Sequence, residues 1–311
     1  QMSQIDIMLL LEDDGKGGKS LKKADVELYI GEMGIGSVLN CVGGIQWTAQ
    51  QYRQTLIQLN QVAKQYNRPP VIWGLDSVHG ANYIRNAILS PQPLNIAATW
   101  NVSMARQAGM LASRDTRAAG INWLFSPLLG LAVEPRWSRV YETFGEDPLV
   151  VGDMATAMIE GIQQQQAGIP SRAAACGKHF VGYSAPQTGH DRSPSWIPTR
   201  HLYQYFVPPW KKAIKSVKTV MESYTEIDGV PLVANRDLLQ YLLRQRLNFT
   251  SVLVTDYQEI RNLHNWHHIV KSDPDAVITS LQEGSVDMSM IPWDASGFAT
   301  AISEGLQQGR L

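Results

Sequence analysis

A chain of 311 residues with 44% hydrophobic and 18% charged content has the composition of a globular protein with a large core. Its formal net charge of -1, with no basic stripe and no run of five like charges, excludes an extended nucleic-acid-binding face. No apolar run approaches the ~18 residues of a membrane-spanning helix; the longest candidate, 121–133, is broken by Asn122, Ser126 and Pro127.

In chain order, the first landmark is the polar run Gly15-Lys16-Gly17-Gly18-Lys19. It lacks the GxxxxGK[ST] spacing and a preceding strand, so it reads as a loop and not as a phosphate cradle. Short β-branched runs then alternate with amphipathic helical patterns. Strands are expected at 36–40, 70–75, 121–125, 174–180, 219–223, 252–255 and 287–291, and helices at 49–65, 98–118, 149–165, 205–217 and 276–283. Gln163 to Gln166 reads as the exposed end of one of these helices. Alternation of this kind predicts a mostly parallel α/β sheet. Seven strands are visible, and an eighth is expected near 132–140 or outside the chain. A (β/α)8 barrel of the TIM type, with an irregular or incomplete strand, is the first reading; a doubly wound open sheet is the second. Nothing suggests an internal linker, so residues 1–311 read as one domain.

Cys41 and Cys176 lie in apolar, strand-like stretches and are expected as buried free thiols. The sequons at Asn101 and Asn248 are compatible with a secretory route. The chain opens on Gln1 without a signal-peptide pattern and closes on Gly309-Arg310-Leu311 without a helix stop. A mature product or a fragment is therefore expected.

Polar residues gather where the expected strands end. Asp76 and His79 follow Val71-Ile72-Trp73, and Lys178 and His179 follow Ala173-Ala174-Ala175. Glu222 and Tyr224 follow Val220-Met221, and Asp256 and Tyr257 follow Val252-Leu253-Val254. In a barrel these ends converge on one cleft. Read singly, each residue has a structural alternative. Asp256 suits the N-cap of a helix beginning near 258, Lys178 could snorkel beside a core histidine, and Arg136, Arg139 and Glu142 could form a surface ion-pair network. The chain has no HExxH, CxxC or G-x-S-x-G, so no metal or cofactor is expected.

Taken together, five ordered blocks resemble the N-terminal catalytic domain of family 3 glycoside hydrolases. They are Gly74-Leu75-Asp76-Ser77-Val78-His79-Gly80; Pro135-Arg136-Trp137-Ser138-Arg139 with Glu142-Thr143-Phe144-Gly145-Glu146-Asp147-Pro148; Cys176-Gly177-Lys178-His179-Phe180-Val181-Gly182; Val220-Met221 with Ser223-Tyr224; and Val254-Thr255-Asp256-Tyr257. The resemblance implies a retaining exo-β-glycosidase, β-glucosidase-like, that releases terminal non-reducing β-D-glucosyl residues. It implies Asp256 as nucleophile and Asp76, Arg139, Lys178, His179, Met221, Tyr224 and Tyr257 as substrate-binding residues. Tyr224 is expected to orient the nucleophile, and Tyr257 stands where the family more often has tryptophan. Lys178 and Arg139 are expected to hold the Asp256 carboxyl low and ionised.

The acid/base has no match in this chain. In the resembled β-glucosidases a glutamate of a C-terminal domain supplies it, so that domain is an expected partner, with a β-glucoside or oligosaccharide as substrate and neither nucleic acid nor membrane. Glu222, Glu226 and Glu259 lie nearby in sequence but match no acid/base position. Two alternatives follow from the same residues. One is a β-N-acetylhexosaminidase using His190-Asp191 on the loop after Lys178-His179-Phe180, and the other is a barrel that binds sugar without turning it over. A secreted, lysosomal or periplasmic location is expected.

Overall fold

The computed structural model describes residues 3–15, 17–43, 46–168 and 172–311. Eight strands form one parallel sheet: β1 (Ser3–Asp6), β2 (Ser37–Leu39), β3 (Ile72–Leu75), β4 (Trp123–Leu124), β5 (Ala174–Phe180), β6 (Thr219–Glu222), β7 (Val252–Val254) and β8 (Ser289–Met290). Each of strands β1 to β6 pairs with the next in sequence, and β8 returns to β1, with Ser3 opposite Ser289. A parallel bridge from Val254 to Met288 closes the remaining seam between β7 and β8. The sheet is thus a closed (β/α)8 barrel, and the open doubly wound alternative fails. All seven expected strands lie in it. The eighth is β1 at the N-terminus, not 132–140, which is a string of turns without a strand.

Period-two alternation separates an inner from an outer core, because successive side chains of a strand point to opposite faces. Trp123, Phe125, Cys176, Met221, Val254 and Met290 pack together inside the barrel. Leu124, Ala175, Val220 and Leu253, one residue out of step, pack against the helices. Trp123 donates to Thr219 Oγ1 (2.8 Å), which donates to the Ala175 carbonyl (3.0 Å), so these two polar groups inside are paired. Gly74 leaves room for this filling, since a Cβ there would lie 2.2 Å from Phe125.

The helices begin where capping residues place them. Thr48 and Gln51 form a capping box on helix Ala49–Gln65, Asn101 caps Val102–Ala118, and Asp147 caps Pro148–Gln163 with proline in its first turn. The glycine-lysine run is the turn of a hairpin that pairs Leu11–Asp13 with Lys19–Leu21; Lys16 itself lies outside the described residues. Both cysteines are free; Cys176 is buried as expected, but Cys41 is only half-buried. Among the described residues, no helix is long and apolar enough to cross a membrane.

Candidate active site

At the C-terminal ends of the strands lies a cavity of about 220 Å³ lined by Asn40, Asp76, Phe125, Arg139, Lys178, His179, Arg192, Met221, Tyr224, Asp256 and Tyr257, among others. All eight residues expected from the sequence meet there. It adjoins a cavity of about 340 Å³ that shares Asp76 and Arg139.

Asp76 follows β3 and Asp256 follows β7, each aimed inward by the same alternation that aims Gly74 and Val254. Lys178 and His179 are consecutive, and a regular strand would send them to opposite faces. The β5–β6 register shifts between Gly177 and Phe180, and this irregularity lets both residues reach the cavity. Arg139 comes from the turns 132–140, where Glu142 grips it by a bidentate pair (2.7 and 2.9 Å). Arg136 pairs instead with Glu134 in solvent, so the charged cluster divides into a surface pair and a cavity wall.

Asp256 is not a helix cap. The helix Glu259–Asn265 starts after Gln258, which is left-handed (φ 61°). Asp256 Oδ1 instead accepts the Tyr257 N–H at 2.7 Å, and Oδ2 has His179 Nε2 at 3.3 Å. Lys178 ion-pairs with Asp76, and Arg139 Nη1 lies 3.4 Å from His179 Nε2. Burial raises the Asp256 carboxyl above the usual carboxylate range, while Arg139, Lys178 and the Tyr257 N–H pull it down without overcoming burial. The sequence-based expectation of a carboxyl held low gave the cations too much weight and desolvation too little. Burial, with Arg139, Lys178 and Arg192 close by, holds His179 well below the ordinary imidazole value, so it is a neutral hydrogen-bonding ring.

Tyr224 differs from expectation. Among the described residues no hydrogen bond joins it to Asp256; its ring lies under the Arg192 guanidinium at 3.8 Å. Tyr257 forms a lip of the cavity, its hydroxyl accepting from Trp293 Nε1 at 2.9 Å. Sequence reasoning missed Arg192, which sits on a polar loop with no strand to announce it. It also missed Asn40, the left-handed residue (φ 69°) after β2, whose Nδ2 donates to Asp6 at 2.7 Å.

His190 is exposed and does not line the cavity. Asp191 Oδ1 accepts from the Tyr183 hydroxyl (2.6 Å) and Trp137 Nε1 (2.9 Å), fixing the loop. The His190-Asp191 pair is therefore not assembled as an acid/base facing Asp256. Glu222 and Glu259 are buried outside the cavity lining, and Glu226 is likewise absent from it. Among the described residues the carboxylates lining this cavity are Asp76 and Asp256, and Asp76 is committed to Lys178.

A buried carboxylate ringed by lysine, arginine and histidine lies at the strand ends, where barrel enzymes place their active sites. The chain belongs to glycosyl hydrolase family 3: the family's N-terminal domain model matches residues 1–311. A lysosomal β-glucosidase of Dictyostelium discoideum is 38% identical over 327 aligned residues, covering 100% of this chain and 39% of that protein. A β-glucosidase structure from Erythrobacter marinus superposes with a TM-score of 0.85 at 28% identity, covering 99% of this chain and 40% of that one. A β-glucosidase from Listeria innocua in complex with isofagomine gives 0.82 at 27% identity, covering 100% and 41%. The chain thus spans about two fifths of the length of these relatives.

Proposed function

We propose that this barrel carries the nucleophile half of a retaining β-glucosidase active site. The observation that supports it best is the position of Asp256, whose Oδ2 faces a cavity walled by Asp76, Arg139, Lys178 and His179. Those four groups offer donors and acceptors to the hydroxyls of one sugar ring, and Tyr257 offers an aromatic face at the mouth. Relatives named β-glucosidases favour glucose as that ring. A location in a lysosome-like or periplasmic compartment agrees with relatives so named.

In the reaction we propose, ionised Asp256 attacks C1 of a terminal β-glucosyl residue as the glycosidic bond breaks, giving a covalent glycosyl-enzyme. Water then attacks C1 and releases glucose with retention. Retention requires a second carboxyl ~5–5.5 Å from the nucleophile, first as acid and then as base. With Asp76 held by Lys178 and no other carboxylate lining the cavity among the described residues, we assign that role to polypeptide outside these 311 residues. Hydrogen bonds that the sugar hydroxyls donate to Asp76 strengthen as positive charge develops on the ring, while Lys178, Arg139 and His179 hold the hydroxyls in place.

Replacing the nucleophile tests this reading. In the full-length protein Asp256→Ala should abolish turnover of an aryl β-glucoside while leaving the fold intact. Added azide should enter the vacated space, attack C1 and restore release of the aryl group with formation of the inverted α-glucosyl azide. Undiminished turnover by Asp256→Ala, or a rescued product of β configuration, would contradict the assignment.

A further inference from the structure

Behind Asp256, away from the cavity, lies a buried acid that the reaction as proposed leaves unused. In β6, Thr219 and Met221 face the barrel interior, and Val220 and Glu222 are one step out of phase, facing the outer layer. Glu222 is fully buried, with Oε1 accepting the backbone N–H of Asp256 at 2.9 Å and Oε2 unpartnered among the described residues. A carboxyl retained in such a place needs a reason, because a buried polar atom without a partner destabilises the fold.

The hydrogen bonds around the tip of β7 supply that reason. On the β8 side, the Thr255 N–H donates to the Met288 carbonyl (3.0 Å), the Gln258 N–H to the Met290 carbonyl (3.0 Å), and the Met290 N–H to Thr255 Oγ1 (2.9 Å). On the β6 side the ladder ends with Val254 opposite Met221. One residue further, Glu222 takes the place of a ladder carbonyl for Asp256. Next to it stand Glu259, fully buried, and His267, whose Nε2 lies 3.1 Å from Glu259 Oε1 and whose Nδ1 lies 3.3 Å from Glu226 Oε2.

We propose that Glu222 is a positioning residue for the nucleophile, clamping the Asp256 backbone from the neighbouring strand so that its carboxylate is held at attacking distance from the sugar. Burial, and then the charge of Glu259, raise the Glu222 carboxyl well above the usual carboxylate range, which favours a neutral clamp. A neutral acceptor leaves Lys178 and Arg139 to act on Asp256, where a second anion would compete for them.

This inference rests on Asp256 being the nucleophile, so the experiment measures both in the full-length protein. Glu222→Gln keeps the accepting oxygen and should keep kcat near the wild-type value. Glu222→Leu removes the acceptor and should lower kcat about a hundredfold, with KM for an aryl glucoside little changed because the hydroxyl-binding residues are untouched. If Glu222→Leu does not fold, Glu222→Asp, which withdraws the oxygen by one methylene, should show the same split between kcat and KM. Wild-type kcat in Glu222→Leu or Glu222→Asp would overturn the clamp, as would a Glu222→Gln variant no better than they are. Activity remaining in Asp256→Asn would overturn the reading beneath it, and the clamp with it; an inactive Asp256→Asn beside a fully active Glu222→Leu would overturn the clamp alone.

Discussion

Asp256 sits between two opposing effects, and the balance has a measurable sign. Burial raises its carboxyl, and Arg139 and Lys178 lower it. In the proposed reaction attack requires the ionised form, so the acid limb of kcat/KM should follow the ionisation of Asp256 in the free enzyme. Lys178→Met removes a cation and frees the negative charge of Asp76, and both changes disfavour the carboxylate. The acid limb should therefore move to higher pH, by about one unit or more. His179→Gln removes a ring that is already neutral and should lower kcat/KM without moving that limb. A pH–rate profile of the two variants separates charge from hydrogen bonding. A limb that stays put in Lys178→Met, or moves in His179→Gln, would show that another group governs it.

At the scale of elements, the helices Val102–Ala118 and Pro148–Gln163 approach through paired glycines. A Cβ on Gly109 would lie 2.3 Å from the Met158 carbonyl oxygen, and one on Gly161 would lie 2.1 Å from that of Arg106. Backbone atoms cannot step aside as a flexible side chain can, so Gly161→Ala must part the helices. Overpacking of this kind costs about 1–3 kcal/mol. Denaturant unfolding should show that loss, with KM unchanged because this contact lies outside the barrel. An unchanged midpoint would mean that the helices slide without cost.

Over the whole molecule, the parallel strands were legible because they are buried on both faces and read as short apolar runs between amphipathic helices. β1 escaped because Ser3-Gln4-Ile5-Asp6 has no such run: Gln4 Nε2 donates to Ser37 Oγ (2.8 Å) and Asp6 accepts from Asn40, partners far along the chain that no local pattern announces. The expectation of a strand near 132–140 failed because those residues turn to deliver Arg139. The site was legible in its chemistry and less so in its wiring. Adjacent Lys178 and His179 signalled a shared cavity, but nothing local revealed that Tyr224 meets Arg192. Glu222 did leave a trace, as a glutamate closing the otherwise uncharged strand Thr219-Val220-Met221-Glu222.

In the proposed reaction Asp256 forms a covalent bond to the sugar. A 2-deoxy-2-fluoro-β-glucoside with an activated leaving group should load the enzyme and stall, because the fluorine slows breakdown of the intermediate. Intact mass should rise by one fluoroglucosyl unit per chain, and peptide mapping should place that mass on Asp256 within Val254-Thr255-Asp256-Tyr257. A label on Asp76, Glu222 or any other carboxyl, in an enzyme that the reagent inactivates, would contradict the account.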